Sequence, residues 1–123
     1  MAEFRQLTKA EEEIMQYFWE LGEVTVSDII ERMEGGKPPH SSVSTIVRIL
    51  EKKGFVDHKA YGRTYVYFPI VSKEEYSNQA IHKFVEDYFS GSYEHLVSHI
   101  ARVKDIRLEE LQELFDLIDD KPK

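Results

Sequence analysis

Length, composition and charge exclude several classes of protein. The chain has 123 residues, of which 41% are hydrophobic and 32% charged, which predicts a soluble chain with a core that forms one small domain, or a small domain plus an appendage. It has no cysteine, which excludes disulfides and thiolate metal sites, and no apolar run approaches the ~20 residues of a membrane span. We therefore expect a cytoplasmic protein without a signal peptide and without membrane insertion.

The net charge of −7 is unevenly distributed. Between Lys37 and Arg63 there are six basic and two acidic residues, whereas residues 72–123 hold twelve acidic and seven basic ones. The local field matters more than the total when one face of a protein meets phosphate. The middle of the chain is therefore compatible with nucleic-acid binding, although ordinary surface scatter would also explain its charge.

Three helices are predicted in the first half of the chain. Thr8 and Glu11 form a capping box that opens a helix ending at Gly22. Thr25 or Ser27 caps a second helix, which the glycines at 35 and 36 stop. The third helix lies in "SSVSTIVRILEKKGF", residues 41–55, where apolar side chains recur at helical spacing at Val43, Ile46, Val47 and Leu50.

A change of period follows the third helix. The stretch "FVDHKAYGRTYVYFPI" is rich in β-branched and aromatic residues, with a turn signal around Gly62, and it predicts a β-hairpin. Three helices followed by a hairpin is the order of a winged helix-turn-helix. We therefore expect a mainly α fold with a small β wing, in which residues 1–71 form a DNA-binding domain.

The rest of the chain, residues 72–123, predicts a three-helix dimerisation region. Ser72 and Glu75 form a second capping box that starts a helix through Phe89, and shorter helices follow at residues 93–103 and 108–118. These helices carry more apolar surface than they can bury among themselves, which favours a homodimer. The predicted interface residues are Tyr76, Ala80, Ile81, Phe84, Val85, Tyr88, Leu96, Leu111, Leu114, Phe115 and Ile118.

The polar face of the third helix has the composition of a DNA-contacting surface. Its hydroxyl groups can approach bases or phosphates, the methyl group of Thr45 suits that of thymine, and Arg48 can contact guanine or phosphate. The amides near Ser41 lie at the helix N-terminus, where phosphate is favoured. With the wing tip, the predicted DNA-binding residues are Ser41, Ser42, Ser44, Thr45, Arg48, Lys52, Lys59, Tyr61, Gly62, Arg63 and Thr64.

The motifs, in this order, resemble the penicillinase-repressor (BlaI/MecI/CopY) family of bacterial winged-helix regulators. "LTKAEEEIMQYFW" is similar to that family's first helix, "VRILEKKGFVDHKAYGRTYVYFPIVSKEEY" to its recognition helix and wing, and "SGSYEHLVSHI" to its dimerising tail. The resemblance implies a homodimeric transcriptional repressor on palindromic operators. It also implies release by cleavage in the C-terminal region, with a membrane sensor-protease as partner.

The chain departs from the family's pattern in three places. The Asn-Phe bond that is cut in the repressors of β-lactam resistance is matched by His99-Ile100, and the copper-responsive branch has a cysteine motif that is absent here. The start of the recognition helix, Pro39-His40-Ser41-Ser42, differs from the family's Ser-Pro and Lys-Thr. We therefore expect a different operator sequence and no copper sensing through cysteine.

Other functions have weaker support. His95 and His99 have metal-ligand spacing on one helix face, with Glu94 as the nearest third ligand, but exposed surface histidines are the better interpretation, so neither a metal nor a cofactor is predicted. No phosphate loop or catalytic triad order is present, so the chain is not expected to be an enzyme. Two alternatives stay open: a winged-helix protein-interaction module, and a winged-helix regulator released by a small ligand near residues 76–93.

Overall fold

The computed structural model describes residues 5–105, 107, 109, 110, 112 and 113. In chain order its elements are α1 (Lys9–Leu21), α2 (Val26–Arg32), α3 (His40–Lys52), β1 (Val56–Tyr61), β2 (Thr64–Pro69), α4 (Lys73–Phe89) and α5 (Tyr93–Val103). Mainly helical structure with one small hairpin confirms the predicted fold class. The chain divides into two compact units, the first ending at Gln79 and the second beginning at Ala80, inside α4.

Capping boxes start the first two helices. The Thr8 hydroxyl accepts from the Glu11 amide at 3.2 Å while the Glu11 carboxylate accepts from the Thr8 amide at 2.9 Å. Thr25 forms the same reciprocal pair with Asp28, so Thr25 rather than Ser27 is the N-cap of α2. Each box satisfies backbone donors that the first turn of a helix leaves without partners.

The end of α2 differs from what the glycines at 35 and 36 predict, whereas Gly54 directly follows the C-cap of α3. α2 ends at Arg32, before Gly35 and Gly36, and the Lys37 ammonium donates to the carbonyls of Ile30, Glu31 and Met33 at 2.8–3.1 Å. The Ile30 carbonyl also accepts from the Met33 amide at 3.1 Å, and the Lys37 ammonium adds a partner for carbonyls at the end of the helix. α3 ends at Lys52, and Gly54 with φ of 85° provides the left-handed residue that reverses the chain toward β1.

The hairpin is antiparallel and tightly turned. β1 and β2 pair from Val56 with Pro69 to Tyr61 with Thr64, which leaves a two-residue loop where Gly62 has φ of 64°. Val24 adds an isolated bridge to Tyr67, with backbone bonds of 2.9 and 2.8 Å. This bridge ties the segment between α1 and α2 to the second strand of the wing.

The core of the first unit joins all three helices to the hairpin. Phe18, Ile29, Val47, Leu50 and Phe55 are fully buried within it. Burying side chains of this size is worth about 1.5–3 kcal/mol each before the cost of ordering the chain, so this cluster is the main stabilising feature of the unit.

The first turn of α4 packs on the core of the first unit. The predicted capping box at its start is formed by Ser72 and Glu75, with both bonds at 3.0 Å. The Tyr76 ring lies 5.9 Å from that of Trp19 and 5.6 Å from that of Phe55, and its hydroxyl donates to the Glu12 carboxylate at 2.7 Å. Tyr76, which periodicity assigned to the dimer interface, is therefore a core residue of the first unit.

The second unit contains the rest of α4 and α5. The Gly91 amide bonds to the Val85 carbonyl at 3.0 Å, and the Ser92 hydroxyl caps α5 by accepting from the His95 amide at 3.2 Å. α5 has the bounds that the sequence predicts, whereas the predicted helix at residues 108–118 falls largely outside the described residues. Within the described ranges, no helix combines the length and apolar character that a membrane span requires.

Candidate nucleic-acid interface

α3 has one face in the core and one in solvent. Val43, Val47 and Leu50 are buried, and Ile46 packs against the same cluster while staying partly accessible. This seven-residue stripe anchors the helix to α1 and α2 and orients the opposite side outward. We call that side the outer face of α3; it comprises the predicted contact residues Ser41, Ser42, Ser44, Thr45, Arg48 and Lys52.

The outer face is exposed along its length, with one exception. Ser44 is half-buried, whereas the other five residues are exposed. The Thr45 hydroxyl donates to the Ser41 carbonyl at 2.8 Å, one turn earlier in the helix. Because the proton of this hydroxyl is used inside the helix, the methyl group and the oxygen lone pairs remain for an external partner.

The start of α3 has no side-chain cap. Pro39 is the N-cap residue and makes no capping hydrogen bond, although its carbonyl accepts from the Ser42 amide at 3.1 Å. The amides of His40 and Ser41 therefore have no side-chain cap at the positive end of the helix dipole. Such an end attracts anions, and the hydroxyls of Ser41 and Ser42 lie in the same turn.

The wing tip combines exposed aromatic, basic and hydroxyl groups. Tyr61 is 58% exposed, and Gly62, Arg63 and Thr64 are exposed with it. The positive φ of Gly62 allows the tight turn that brings Tyr61 and Thr64 opposite each other. The predicted wing residues therefore cluster at one end of the hairpin.

Basic side chains between residues 37 and 63 divide into two groups. Lys37 caps the end of α2, and Lys53 lies against the buried Glu11 carboxylate at 2.6 Å, so both stabilise the fold. Lys59 lies 3.5 Å from the Glu23 carboxylate and over the Phe68 ring. Charge counting along the sequence therefore overestimates the number of cations that a partner can reach.

The second group of basic side chains can be reached by a partner. Arg48, Lys52 and Arg63 are exposed and form no ion pair within the part of the chain that the structure describes. Two of these cations belong to the outer face of α3 and the third to the wing tip. This distribution gives α3 and the wing a shared positive character that the acidic total conceals.

Two features next to this surface were missed by sequence reasoning. Ile49 is 38% exposed on α3 and lies outside the apolar stripe that helical spacing identifies in this helix. His58 pairs with Glu51, seven residues earlier, across the end of α3. Neither helical nor strand periodicity alone connects those two positions, because the chain changes period between them.

The predicted dimer residues divide by burial. Ala80, Ile81, Phe84 and Tyr88 are exposed on α4, with Tyr88 at 72%, and Leu96 on α5 is half-buried. Val85 is fully buried. The remaining predicted positions, Leu111, Leu114, Phe115 and Ile118, lie outside the described residues.

Three helices followed by a two-stranded wing, with a polar and basic face on the third helix, define the winged helix-turn-helix class. Within that class the penicillinase repressor family model matches residues 7–120. The chain therefore belongs to the penicillinase repressor family, and the predicted resemblance is confirmed.

Similar proteins agree with this assignment. The chain is 23% identical over 121 residues to the penicillinase repressor of Bacillus licheniformis, covering 98% of this chain and 94% of that protein. It is 24% identical over 117 residues to the methicillin resistance regulatory protein MecI of Staphylococcus aureus strain N315, covering 94% and 95%. Both are named for repression or regulation rather than for an enzymatic reaction.

A solved structure shares the winged helix. The solution structure of the monomeric form of Bacillus licheniformis BlaI in complex with the blaP half-operator matches with a TM-score of 0.51 and 26% identity. The match covers 62% of this chain and 94% of the BlaI chain. That relative therefore binds operator DNA with a domain of the same fold.

Proposed function

We propose that this protein is a sequence-specific, non-enzymatic transcriptional repressor that binds double-stranded operator DNA as a homodimer. The observation that carries the proposal is the outer face of α3, which is largely exposed. It carries two cations that form no ion pair among the described residues, opposite the buried side chains of Val43, Val47 and Leu50. The binding of a half-operator by the BlaI relative supports the same assignment. A cytoplasmic location follows from this role.

On this proposal α3 enters the major groove of each half-site. Arg48 contacts guanine or a phosphate, and Thr45 places its methyl group against thymine because its hydroxyl proton is bonded within the helix. The uncapped amides near Ser41 receive a phosphate oxygen. Arg63 and the Gly62 turn at the wing tip contact the backbone or the minor groove beside it.

Titrating DNA from the protein's own promoter tests the proposal. Changing Ser42, Thr45 and Arg48 together to alanine should weaken operator binding at least tenfold, about 1.4 kcal/mol. The Arg48→Ala variant alone should lose about 1–3 kcal/mol if the guanidinium contacts guanine. Lys83→Ala, which removes an exposed cation from α4, is the matched control and should bind as the wild type does.

The net charge of −7 favours the alternative that this protein is a protein-interaction module. The dependence of operator affinity on salt concentration distinguishes that alternative from a DNA-binding repressor. Operator affinity should fall steeply as salt rises, and the Arg48→Ala variant should show a shallower slope if Arg48 clamps a phosphate. Wild-type binding by the triple variant would overturn the assignment to α3. The lack of any promoter binding at low salt would instead favour the interaction module.

We further propose that the exposed apolar residues of α4 form part of the dimer interface. Ile81, Phe84 and Tyr88 recur at helical spacing and are 46–72% exposed in the single chain. A homodimer would cover them and would set the distance between two half-sites of a palindrome. Val85 is fully buried and would support this surface from inside the chain, and Tyr76 is not part of it because it belongs to the core of the first unit.

Sedimentation of interface variants tests this surface. Ile81→Asp combined with Phe84→Asp should convert a dimer into a monomer, because each chain would bury two unpaired charges at the contact. Lys83→Asp, between those positions but outside the apolar stripe, should stay dimeric. An unchanged dimer in the double variant would place the interface elsewhere in the chain.

Repression is proposed to end by cleavage in the C-terminal region, with a membrane sensor-protease as the partner. His99 and Ile100 are exposed but lie inside α5, so cleavage there requires local unwinding of the helix. Immunoblots of a chain tagged at its N-terminus should show a shorter fragment when the repressed promoter becomes active. An intact chain under those conditions would favour release by a small ligand.

A further inference from the structure

Three potential metal ligands meet where α3 ends and the wing begins. Glu51 lies in the last turn of α3, and Asp57 and His58 lie at the start of β1. Among the described residues, these three are the group of histidine and carboxylate side chains whose ligand atoms all lie within 4.8 Å of one another. The chain reversal at Gly54 brings them together from two elements.

The imidazole of His58 is held in place by its neighbours. Its ring stacks on Tyr65 with centroids 4.5 Å apart and an interplanar angle of 22°, and it lies 5.5 Å from the Tyr67 ring. Its Nδ1 hydrogen-bonds to the Glu51 carboxylate. Aromatic packing thus fixes the ring with a nitrogen close to the Glu51 carboxylate, so both groups can share one cation with little movement.

The second carboxylate lies on the same side. Asp57 accepts a hydrogen bond from the His58 backbone amide at 2.8 Å, so its side chain folds back toward the residue that follows it. Asp57 is exposed, whereas Glu51 and His58 are half-buried. A rotation of the exposed Asp57 side chain can therefore shorten the distances between ligands without moving the core.

We propose that Glu51, Asp57 and His58 bind a divalent transition-metal ion of the zinc type. Zinc is held by imidazole nitrogen and carboxylate oxygen at about 2.0–2.2 Å, and sites with three protein ligands are completed by water. The imidazole nitrogen disfavours magnesium, which prefers an octahedral set of oxygens. The ion replaces the direct contact between Glu51 and His58 and connects the end of α3 to the base of the wing.

The site also has a consequence that rests on the proposed DNA-binding function. Glu51 and Asp57 are the two carboxylates within the basic segment that includes Arg48 and Lys52. A divalent cation offsets both negative charges and fixes the wing relative to α3. Operator affinity is therefore expected to be higher with zinc than with a chelator, because the repulsion of phosphate by this segment is removed.

Zinc titration of the full, untagged chain against a chromophoric chelator tests the site. The wild type should bind one zinc ion per chain. His58→Phe keeps a ring to stack on Tyr65 but has no nitrogen ligand, and Glu51→Gln keeps the shape but loses the charge. Each variant should bind zinc at least about tenfold more weakly, since losing a ligand costs no less than losing its supporting group.

A matched control uses the other histidine pair. His95→Ala combined with His99→Ala removes two imidazoles from α5 and should leave zinc affinity unchanged. Absence of zinc binding by the wild type would overturn the site. Retention of zinc by His58→Phe and Glu51→Gln, with loss in the α5 double variant, would also overturn it.

Operator titrations in zinc and in chelator then test the coupling separately. Higher wild-type affinity in zinc, with no difference for His58→Phe, is the expected result. Equal affinities in a protein that binds zinc would overturn the coupling and leave the metal site standing. A protein that binds zinc but no DNA would refute the proposed function without affecting the metal site.

Discussion

The two compact units differ in how completely they bury their apolar side chains. In the part of the chain that the structure describes, every buried apolar residue except Val85 belongs to the first unit. The second unit instead leaves Ile81, Phe84, Tyr88 and Val103 between 46% and 72% exposed. The first unit thus has its own core, whereas the second presents a surface of the kind that another chain covers.

Because of this difference, we expect the first unit to determine the stability of the single chain and the second unit to determine its association. A substitution in the first unit should act on the folding of a single chain, since the contacts that it removes are intramolecular. A substitution on the exposed face of α4 should act on association. Trp19, the one tryptophan of the chain, lies in the first unit, so its fluorescence reports the unfolding of that unit.

The largest effect on stability is expected when a buried phenylalanine of the first unit is replaced by alanine, and an exposed phenylalanine of the second unit provides the matching variant. Phe55→Ala removes a fully buried ring and should lower the free energy of unfolding by about 3–5 kcal/mol, because a cavity remains. Phe84→Ala removes a ring that is 46% exposed and should instead raise the dissociation constant of the proposed dimer. Urea unfolding followed by Trp19 fluorescence, together with sedimentation, measures both effects.

Equal losses of stability in the two phenylalanine variants would contradict the proposed difference between the units. Such a result would mean that the first unit does not fold independently of the second. Unchanged association in Phe84→Ala, with the expected loss in Phe55→Ala, would confine the error to the second unit. The pair of variants therefore distinguishes a mistake about the core from a mistake about the interface.

The element order was predictable from local signals. Capping boxes at Thr8 and Ser72, the stripe from Val43 to Leu50, and the β-rich run around Gly62 are each contained within a few residues. The end of α2 was not predictable in this way. It depends on the Lys37 ammonium, which folds back onto three carbonyls of the preceding turn.

The proposed site was predictable in outline but not in its chemical details. Helical periodicity separates the outer face of α3 from its buried stripe. It gives no sign, however, that the Lys53 ammonium is paired with the Glu11 carboxylate, as it is in the structure. Tyr76 fits the apolar period of α4, but Trp19 and Phe55 bring it into the core. Contacts between residues distant in sequence decide these cases, and local patterns do not contain them.

The two units also differ in their lysine ion pairs, one of which is buried and the other exposed. Lys53 and Glu11 are 2.6 Å apart with side chains 16% and 8% exposed, whereas Lys83 and Asp87 are 3.0 Å apart and at least half exposed. Lys53→Met leaves a buried carboxylate without its partner and should cost about 3 kcal/mol. Lys83→Met should cost less than about 0.5 kcal/mol. Urea unfolding followed by far-ultraviolet circular dichroism measures both variants, because the helices of both units contribute to that signal.

The pH dependence of the Lys53 variant provides a second measurement. Burial by itself raises the pKa of Glu11. The hydrogen bonds from Lys53 and from the Thr8 amide lower the pKa by more than burial raises it, so the pKa lies below its usual 4.5. This carboxylate therefore stabilises the fold above its usual pKa, and that stability is lost as the pH falls through the folded value. Lys53→Met should lose less stability on acidification; an unchanged acid slope would contradict the pairing.

An effect smaller than that of Lys53→Met is expected at Tyr76, which anchors the start of α4 to the first unit. Tyr76→Phe removes the 2.7 Å hydrogen bond to Glu12 and should cost about 1 kcal/mol at neutral pH. Burial, followed by that hydrogen bond, raises the pKa of Tyr76 from 10.0 to about 12. The folded state therefore favours the protonated phenol, whose stabilising contribution is complete below pH 10 and is lost as the pH rises through about 12.

Alkaline unfolding curves test this assignment. The wild type should lose stability between these two pKa values, and Tyr76→Phe should show a flatter curve because it has no phenol to ionise. Tyr61→Phe changes a wing-tip residue that is 58% exposed and is the matched control, with the wild-type alkaline slope expected. A flatter curve in Tyr61→Phe but not in Tyr76→Phe would show that the start of α4 is not anchored through this phenol, and the first unit would then need another contact to hold it.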